Sequence, residues 1–366
     1  MRALVVSPPA AGSRIADVPA PTLGPGEVRV GVLECGVCGT DHDIAAGLYG
    51  KTPPGADHLI LGHENLGRVR EAAPGVDGFP PGTLVVATVR RGCGRCRFCA
   101  VNRSDCCATG LYTERGIWGQ DGYLAEEYVE HPDYLVRVPE PLRPVAVLLE
   151  PLSVVEKAVA SGQTVLDRRE PTPGAPATEP PRALVTGTGA IGMLASLVLR
   201  TRGYEVTAID RHDASTLAAH LLSAAGIRHV DAATGIGALG EDRFDMIMEA
   251  SGSITLDFAL VPRLLPNGVL VLTGIPDAHA PPVEVAGGAL LREMVLGNMA
   301  IVGSVNANRQ HFEAGIRDLA SFARRWPGLV EQLIHARRPL EEGPALLAEH
   351  LGGTVKTVLS VADGRP

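Results

Sequence analysis

Ala183-Leu184-Val185-Thr186-Gly187-Thr188-Gly189-Ala190-Ile191-Gly192 decides the fold. A short apolar run, Ala183 to Thr186, reads as a strand. It gives way to G-x-G-x-x-G and then to an Ala- and Leu-rich helix over Ile191 to Arg202. The glycine pattern alone says little in a chain with 43 glycines, so its context carries the reading. Directly after a strand and opening a helix, the first glycine permits the tight turn. The second lets the backbone approach a pyrophosphate, and the third lets helix and strand pack closely. The helix N-terminus adds free N–H groups and partial positive charge for phosphates. Gly187, Thr188, Gly189, Ala190, Ile191 and Gly192 are therefore candidate dinucleotide-binding residues. The competing reading is an ordinary strand–loop–helix turn.

Downstream, Glu205 to Ile209 reads as a second strand, and Asp210 ends it 18 residues past Gly192. A carboxylate there accepts hydrogen bonds from ribose hydroxyls. It also repels a 2′-phosphate, which favours NAD over NADP. Arg211 and His212 either help to hold that phosphate or face solvent. Phe244 to Met248 and Val269 to Thr273 continue the strand–helix alternation. That pattern implies an α/β fold, a doubly wound parallel sheet of Rossmann type over 182–305.

Upstream the pattern is β-rich. Glu27 to Leu33 alternates, with valines on one side of the pleat, and Pro-Gly turns punctuate the rest, as expected of a small barrel-like unit. Leu149 to Ser161 turns helical. Arg168 to Pro181 holds five prolines and reads as a surface linker, placed at 166–181. A length of 366 residues fits two domains. We assign 1–165 and 306–366 to the β-rich catalytic domain. Return of the tail, with a last strand near Val355 to Val361, rests on the resemblance given below.

The net charge of −8, without a block of lysines or arginines, argues against a nucleic-acid partner. The N-terminal residues lack the apolar core of a signal peptide, and no run approaches a membrane span. The expectation is a soluble, cytoplasmic chain.

All seven cysteines lie in the first third. Cys93-x2-Cys96-x2-Cys99-x7-Cys107 offers four thiolates within a short lobe, about 90–110, and zinc takes four such ligands tetrahedrally. A closed site of this kind is structural. Cys106 is read as a free thiol, since adjacent residues seldom both reach one metal. A second, dispersed set is Cys38, His63, Glu64 and Glu150. A thiolate, an imidazole and carboxylates bind zinc and leave a position for a substrate oxygen. Taken singly, such a cysteine is more often a small buried hydrophobe and such a histidine a structural donor.

Cys38-Gly39-Thr40-Asp41, Gly62-His63-Glu64, the four-cysteine lobe and G-x-G-x-x-G follow one another in the order found in zinc-containing medium-chain alcohol and polyol dehydrogenases, which the chain resembles along nearly its whole length. Glu114-Arg115-Gly116-Ile117, Glu150 to Lys157 and Gly303-Ser304-Val305-Asn306-Ala307-Asn308 resemble the archaeal-type glucose dehydrogenases. The resemblance implies a GroES-like catalytic domain beside the Rossmann domain. It implies catalytic zinc on Cys38, His63 and Glu64, with Glu150 a nearby or alternating ligand. Thr40 passes the substrate proton on, Thr40, Glu114, Glu150 and Asn306 meet the sugar, and Ser304 and Asn306 meet the cofactor.

Oxidation of glucose or a similar aldose at C1, giving the lactone, is the implied reaction. It needs catalytic and structural zinc and NAD, possibly NADP too, in a homo-oligomer, dimer or tetramer. One departure is Gly297, where some glucose-oxidising relatives carry histidine. The alternatives are a dehydrogenase of a sugar alcohol, aminocyclitol or threonine-like substrate, and a catalytically silent NAD(P)-binding relative. Glu114 and Asn306 favour a polyhydroxylated substrate.

Overall fold

The computed structural model describes residues 1–168, 179–233, 235–276, 280–349 and 355–361. They divide into two units, Met1–Ser153 with Asn306–Pro366, and Val154–Val305. The first is organised around the strand Val28–Val37. Val28, Val30 and Val32 are fully buried in one core with Val69, Val85, Leu135 and Leu359. This strand pairs antiparallel with Glu64–Ala72 on one side and Lys356–Ser360 on the other. The tail of the chain thus enters the first unit's sheet by direct pairing, Thr357 opposite Val37 and Ser360 opposite Glu34. The expected barrel-like unit is a seven-stranded sheet together with two three-stranded sheets.

The second unit is a six-stranded parallel sheet ordered Arg228–Asp231, Glu205–Asp210, Arg182–Thr186, Phe244–Glu249, Leu264–Leu272, Ala300–Gly303. The chain builds outward from Arg182–Thr186 in one direction and then returns to its other side. That creates a topological switch point where ligands bind at the carboxyl ends of strands. Two strands were not read from the sequence, Arg228–Asp231 and Ala300–Gly303. Both sit at sheet edges; the first is largely polar, and the second is a short apolar stretch that stays partly exposed.

The helix read over Leu149 to Ser161 extends over Leu149–Asp167, and the division between units falls within it, after Ser153, instead of at 165. The physical reason is packing. Gly162 lies so close to the parallel sheet that an added Cβ would stand 2.9 Å from the side chains of Met246 and Val271. Of the stretch assigned to a linker, residues 169–178 lie outside the described residues. No described helix is long and apolar enough to cross a membrane.

In the first unit, Glu130 is buried between two guanidiniums. Arg91 Nη2 and Arg115 Nε both donate to its Oε2, the latter at 3.1 Å, and the His131 backbone donates to Oε1 at 3.0 Å. Burial pushes the Glu130 carboxyl up, but Arg91 and Arg115 outweigh it and hold it below its ordinary range. Glu130→Ala leaves two buried cations facing each other, a loss that costs about 3–5 kcal/mol. Urea unfolding monitored by tryptophan fluorescence is expected to show that drop in stability. A change under about 1 kcal/mol, the level of an exposed pair, contradicts it.

Candidate functional site

Cys38 is the N-cap of the helix Gly39–Ala45, and Asp41 closes the capping box by accepting the Cys38 backbone N–H at 2.9 Å. The cap fixes the direction in which the Cys38 thiol leaves the strand Val28–Val37. His63 and Glu64 enter at the start of Glu64–Ala72, which pairs with that strand and sets Glu64 opposite Gly36. A Cβ at Gly36 would stand 2.0 Å from Glu64 Oε2, so the carboxylate occupies space that only glycine leaves. The preceding Gly62 adopts φ +90°, and a side chain there would strike Leu124 and Cys35.

These constraints bring Cys38 Sγ to 3.1 Å from His63 Nε2. One ligand atom each from Cys38, His63 and Glu64 lies within 4.8 Å of the others. Asp41 Oδ1 faces His63 Nδ1 at 3.5 Å, the outer partner that orients a metal-binding imidazole. Lys356 Nζ donates to Glu64 Oε1 at 2.6 Å, while Glu64 Oε2 is buried without a partner. A sulfur, nitrogen and oxygen donor set with an orphaned carboxylate oxygen fits a zinc ion that keeps one coordination position open.

Burial lowers the His63 imidazolium, but the charges of Cys38 and Asp41 prevail and raise its pKa well above the usual value. Glu150, in the first turn of Leu149–Asp167, is not brought into the three-ligand cluster. Burial, reinforced by Glu64 and opposed by His63, pushes its carboxyl up to about 7. It is therefore an electrostatic neighbour of this cluster.

Cys93, Cys96, Cys99 and Cys107 also gather their sulfurs within 4.8 Å. A tetrahedron of sulfurs about 2.3 Å from zinc has edges of about 3.8 Å, and Cys93 and Cys99 stand 4.0 Å apart. Cys106 is turned away, its thiol donating to Asp105 Oδ2 at 3.3 Å. No disulfide joins any of the seven cysteines.

Glu114 and Asn306 meet directly. Asn306, at φ +61°, donates from Nδ2 to Glu114 Oε1 at 2.8 Å, and Arg90 donates to the same oxygen from Nε at 3.0 Å and Nη2 at 2.9 Å. The Asn306 Oδ1 is taken by the Ala307 N–H at 2.8 Å. Thr40, the second residue of its helix, is half-buried with a hydroxyl that bonds to no protein group among the described residues.

In the second unit, Gly187 adopts φ +84°, and a Cβ at Gly192 would stand 1.9 Å from the Gly187 carbonyl oxygen. Ala190–Thr201 begins at Gly189 without a side-chain cap, and a Cβ at Gly189 would meet nothing within 4 Å. Open space above uncapped N–H groups at Gly189 to Ile191 suits a pyrophosphate. Asp210 Oδ2 accepts from Thr188 N at 2.6 Å and Thr188 Oγ1 at 2.8 Å, and Oδ1 accepts from His212 N at 3.1 Å. Burial raises the Asp210 carboxyl, but Thr188 and His212 leave it below its usual range, so it is anionic at neutral pH. Arg211 is exposed. Ser304 follows the last strand, and its Oγ is buried without a partner.

Sequence reasoning missed Lys356, Arg90 and the role of Asp41. The Cys38-to-Asp41 spacing is a capping-box signal and could have been found. Lys356 arrives from a strand 292 residues beyond Glu64, and no local pattern announces it.

A model of the alcohol dehydrogenase GroES-like domain matches residues 24–140, and one of the glucose dehydrogenase C-terminus matches 143–361. The chain is 43% identical over 347 residues to a glucose 1-dehydrogenase of Methanocella arvoryzae, covering 93% of this chain and 94% of that protein. It is likewise 43% identical over 343 residues to one of Thermoproteus tenax, with 93% and 94% covered. A solved glucose dehydrogenase of Haloferax mediterranei, in complex with NADP, zinc and gluconolactone, superposes with a TM-score of 0.87 at 32% identity, 99% of both chains being covered.

Proposed function

The chain belongs to the glucose dehydrogenase family, whose N-terminal part is a GroES-like alcohol dehydrogenase domain, and from that premise we propose that it oxidises an aldose at C1, D-glucose or a close analogue, to the lactone with NAD(P) as acceptor. The observation that carries this reading is the pairing of an open Cys38, His63, Glu64 donor set with the buried polar pair Glu114 and Asn306 in the same unit. The relatives named above are glucose dehydrogenases, and the solved one holds zinc, NADP and gluconolactone.

Zinc supplies Lewis acidity at the reacting hydroxyl, and the nicotinamide takes the hydride. Cys38, His63 and Glu64 would hold the metal, with Lys356 keeping Glu64 Oε1 occupied so that Oε2 remains for it. The Thr40 hydroxyl takes the proton of the C1 hydroxyl and passes it to solvent. C1 loses one hydride and its oxygen one proton, which leaves the lactone carbonyl. Glu150 and Glu114 offer carboxylate oxygens to the remaining hydroxyls, and Asn306 holds Glu114 in place and would have its second amide hydrogen to give to the sugar. Cys93, Cys96, Cys99 and Cys107 would hold a second zinc that never meets substrate.

The same reading includes a cytoplasmic homo-oligomer. Seven cysteines with no disulfide among them, five of them grouped as metal ligands, favour a reducing compartment. The edge strand Ala300–Gly303 exposes Ile301, and the helix before it exposes Leu291, Val295 and Leu296, an apolar surface that a second copy would cover. The test of function is a panel of aldoses, sugar alcohols and simple alcohols assayed with both cofactors by absorbance of the reduced nicotinamide. Aldoses are expected to give the highest kcat/KM. Oxidation of a simple alcohol or an amino acid in preference to every sugar defeats the proposal.

NAD is expected to be the better cofactor, with NADP accepted. The Asp210 carboxylate is tied to Thr188 in the glycine loop, so it cannot swing away from a 2′-phosphate without breaking those bonds. Exposed Arg211 pulls the other way, because its guanidinium can turn to that phosphate. Asp210→Asn keeps an acceptor for Thr188, removes the charge and leaves Arg211. It is expected to move the ratio of kcat/KM for NADP over NAD upward by roughly tenfold, about 1.4 kcal/mol. A wild type that prefers NADP by that factor shows Arg211 to govern the pocket.

A further inference from the structure

Glu114, Arg90, Asp105, Asn308 and Asn306 form a closed ring, and each is at least nine-tenths buried. Arg90 grips Glu114 Oε1 with two N–H groups and gives its Nη1 to the Asp105 carbonyl oxygen at 2.9 Å. Asn308 Nδ2 donates to Asp105 Oδ1 at 3.2 Å. Two residues back along the chain, Asn306 donates to Glu114 Oε1 and closes the ring. Four members lie on or beside the first unit's sheets and the helix Arg309–Arg325. Asp105 alone lies within the span of the four cysteines, between Cys99 and Cys107. The lobe is braced against the same ring by Ser104, whose hydroxyl donates to the Arg90 carbonyl at 3.3 Å.

We propose that Asp105 and Arg90 are positioning residues for sugar recognition, so that the four-cysteine lobe fixes the Glu114–Asn306 wall as well as its own fold. This rests on the reading that Glu114 and Asn306 meet the sugar. Three N–H donors saturate Glu114 Oε1 and pin the carboxylate plane. Its Oε2 makes no hydrogen bond to the protein among the described residues and is left for a substrate hydroxyl. Asn306 is held in a left-handed backbone conformation, φ +61°, and Asn308 two residues on is anchored from the lobe. Such conformations persist where surrounding bonds over-determine them. A displacement of the lobe is passed to Glu114 through Arg90 and to Asn306 through Asn308, along two branches that start on one residue. Cys38, His63 and Glu64 are not members of the ring, so its loosening acts on substrate binding before it acts on the chemical step.

The test compares Asp105→Ala with Asp105→Asn, which keeps an oxygen acceptor for Asn308. Because Asp105→Ala could weaken the lobe itself, Asn308→Ser is measured beside it. Serine still caps the helix Arg309–Arg325 through Gln310 N, the group now bonded to Asn308 Oδ1, but is too short to reach Asp105. Readouts are KM for the sugar, kcat, KM for the cofactor and zinc content. Asp105→Ala and Asn308→Ser are expected to raise the sugar KM by roughly tenfold (1.4 kcal/mol of binding). Their kcat and cofactor KM should stay close to wild type and zinc should be retained, and Asp105→Asn should recover most of the loss. An Asn308→Ser protein with wild-type sugar KM overturns the proposal. So does a variant in which kcat, cofactor KM and zinc content fall together with sugar binding. Glu114→Gln and Glu114→Ala separate the two levels. If neither moves the sugar KM, the reading of Glu114 fails. If they move it and the Asp105 and Asn308 variants do not, only the ring's positioning role fails.

Discussion

Mild chelation is expected to abolish turnover while one zinc per chain remains and the fold survives. Two features pull in opposite directions. The four-cysteine lobe is the more exposed cluster, its ligands all half-buried, whereas His63 and Glu64 are buried. Access alone would strip the lobe first. Ligand number decides against this. On the proposed reading four thiolates would close the lobe's coordination, so a chelator would have to displace a protein ligand before it could bind. On the same reading, Cys38, His63 and Glu64 would supply three protein ligands and leave one exchangeable position, where a chelator attaches directly. The vacated open site is also well tolerated. Lys356 already pairs with Glu64 Oε1 and bonds to the Val37 carbonyl at 3.2 Å, so the carboxylate keeps its counter-charge when the metal leaves. Metal analysis along a chelator time course, with activity and far-UV circular dichroism on the same samples, is the measurement. Activity should fall in step with the first zinc and return when zinc is added back. Activity that outlasts both metals, or a lobe that empties first, sinks the two-site assignment.

Much of this architecture was legible because its signals are local. The glycine loop, the second strand ending on Asp210 and the four-cysteine spacing each lie within about two dozen residues, and each places groups that local backbone geometry brings together. Val28, Val30 and Val32 announced the central strand through their period of two. What stayed hidden depends on pairing between distant segments. Lys356 reaches Glu64 because Lys356–Ser360 adds itself beside Val28–Val37, and nothing in that short strand specifies a partner. Arg90 sits in Arg90-Arg91 just ahead of the cysteines, and no motif singles either arginine out. The structure buries both, one against Glu114 and the other against Glu130. The long helix at Leu149 was read too short because its later turns, with Gln163 and Thr164, lose apolar character at the surface although Gly162 still packs on the sheet. Glu150 shows the remaining gap. Read from sequence as a nearby or alternating ligand, it stands outside the three-residue cluster with a carboxyl raised by burial to about 7, and no local pattern distinguishes those two roles.

Thr40→Val is expected to lower kcat by roughly 10²–10⁴-fold, the contribution of a positioned proton-transfer group, while KM for the cofactor stays within about threefold, well under 1 kcal/mol of binding. Valine matches threonine in shape but has no hydroxyl, so packing in the first turn of Gly39–Ala45 is preserved. The Asp41 carboxylate continues to cap the helix through the Cys38 N–H at 2.9 Å, which leaves the thiol's direction unchanged. The loss is therefore chemical. Without the hydroxyl, the proton leaving the C1 oxygen has no side-chain relay two residues from Cys38, and the buried His63 and Asp41 are already engaged with each other. Thr40→Ser restores the hydroxyl without the methyl and should recover activity to within about tenfold of wild type (1.4 kcal/mol), the residual deficit reflecting a freer rotamer. Steady-state kinetics over a pH series read the result directly. Because specific base in solution replaces the missing relay, the valine variant should gain more from rising pH than the wild type does. A Thr40→Val enzyme with wild-type kcat and an unchanged pH profile removes Thr40 from the reaction.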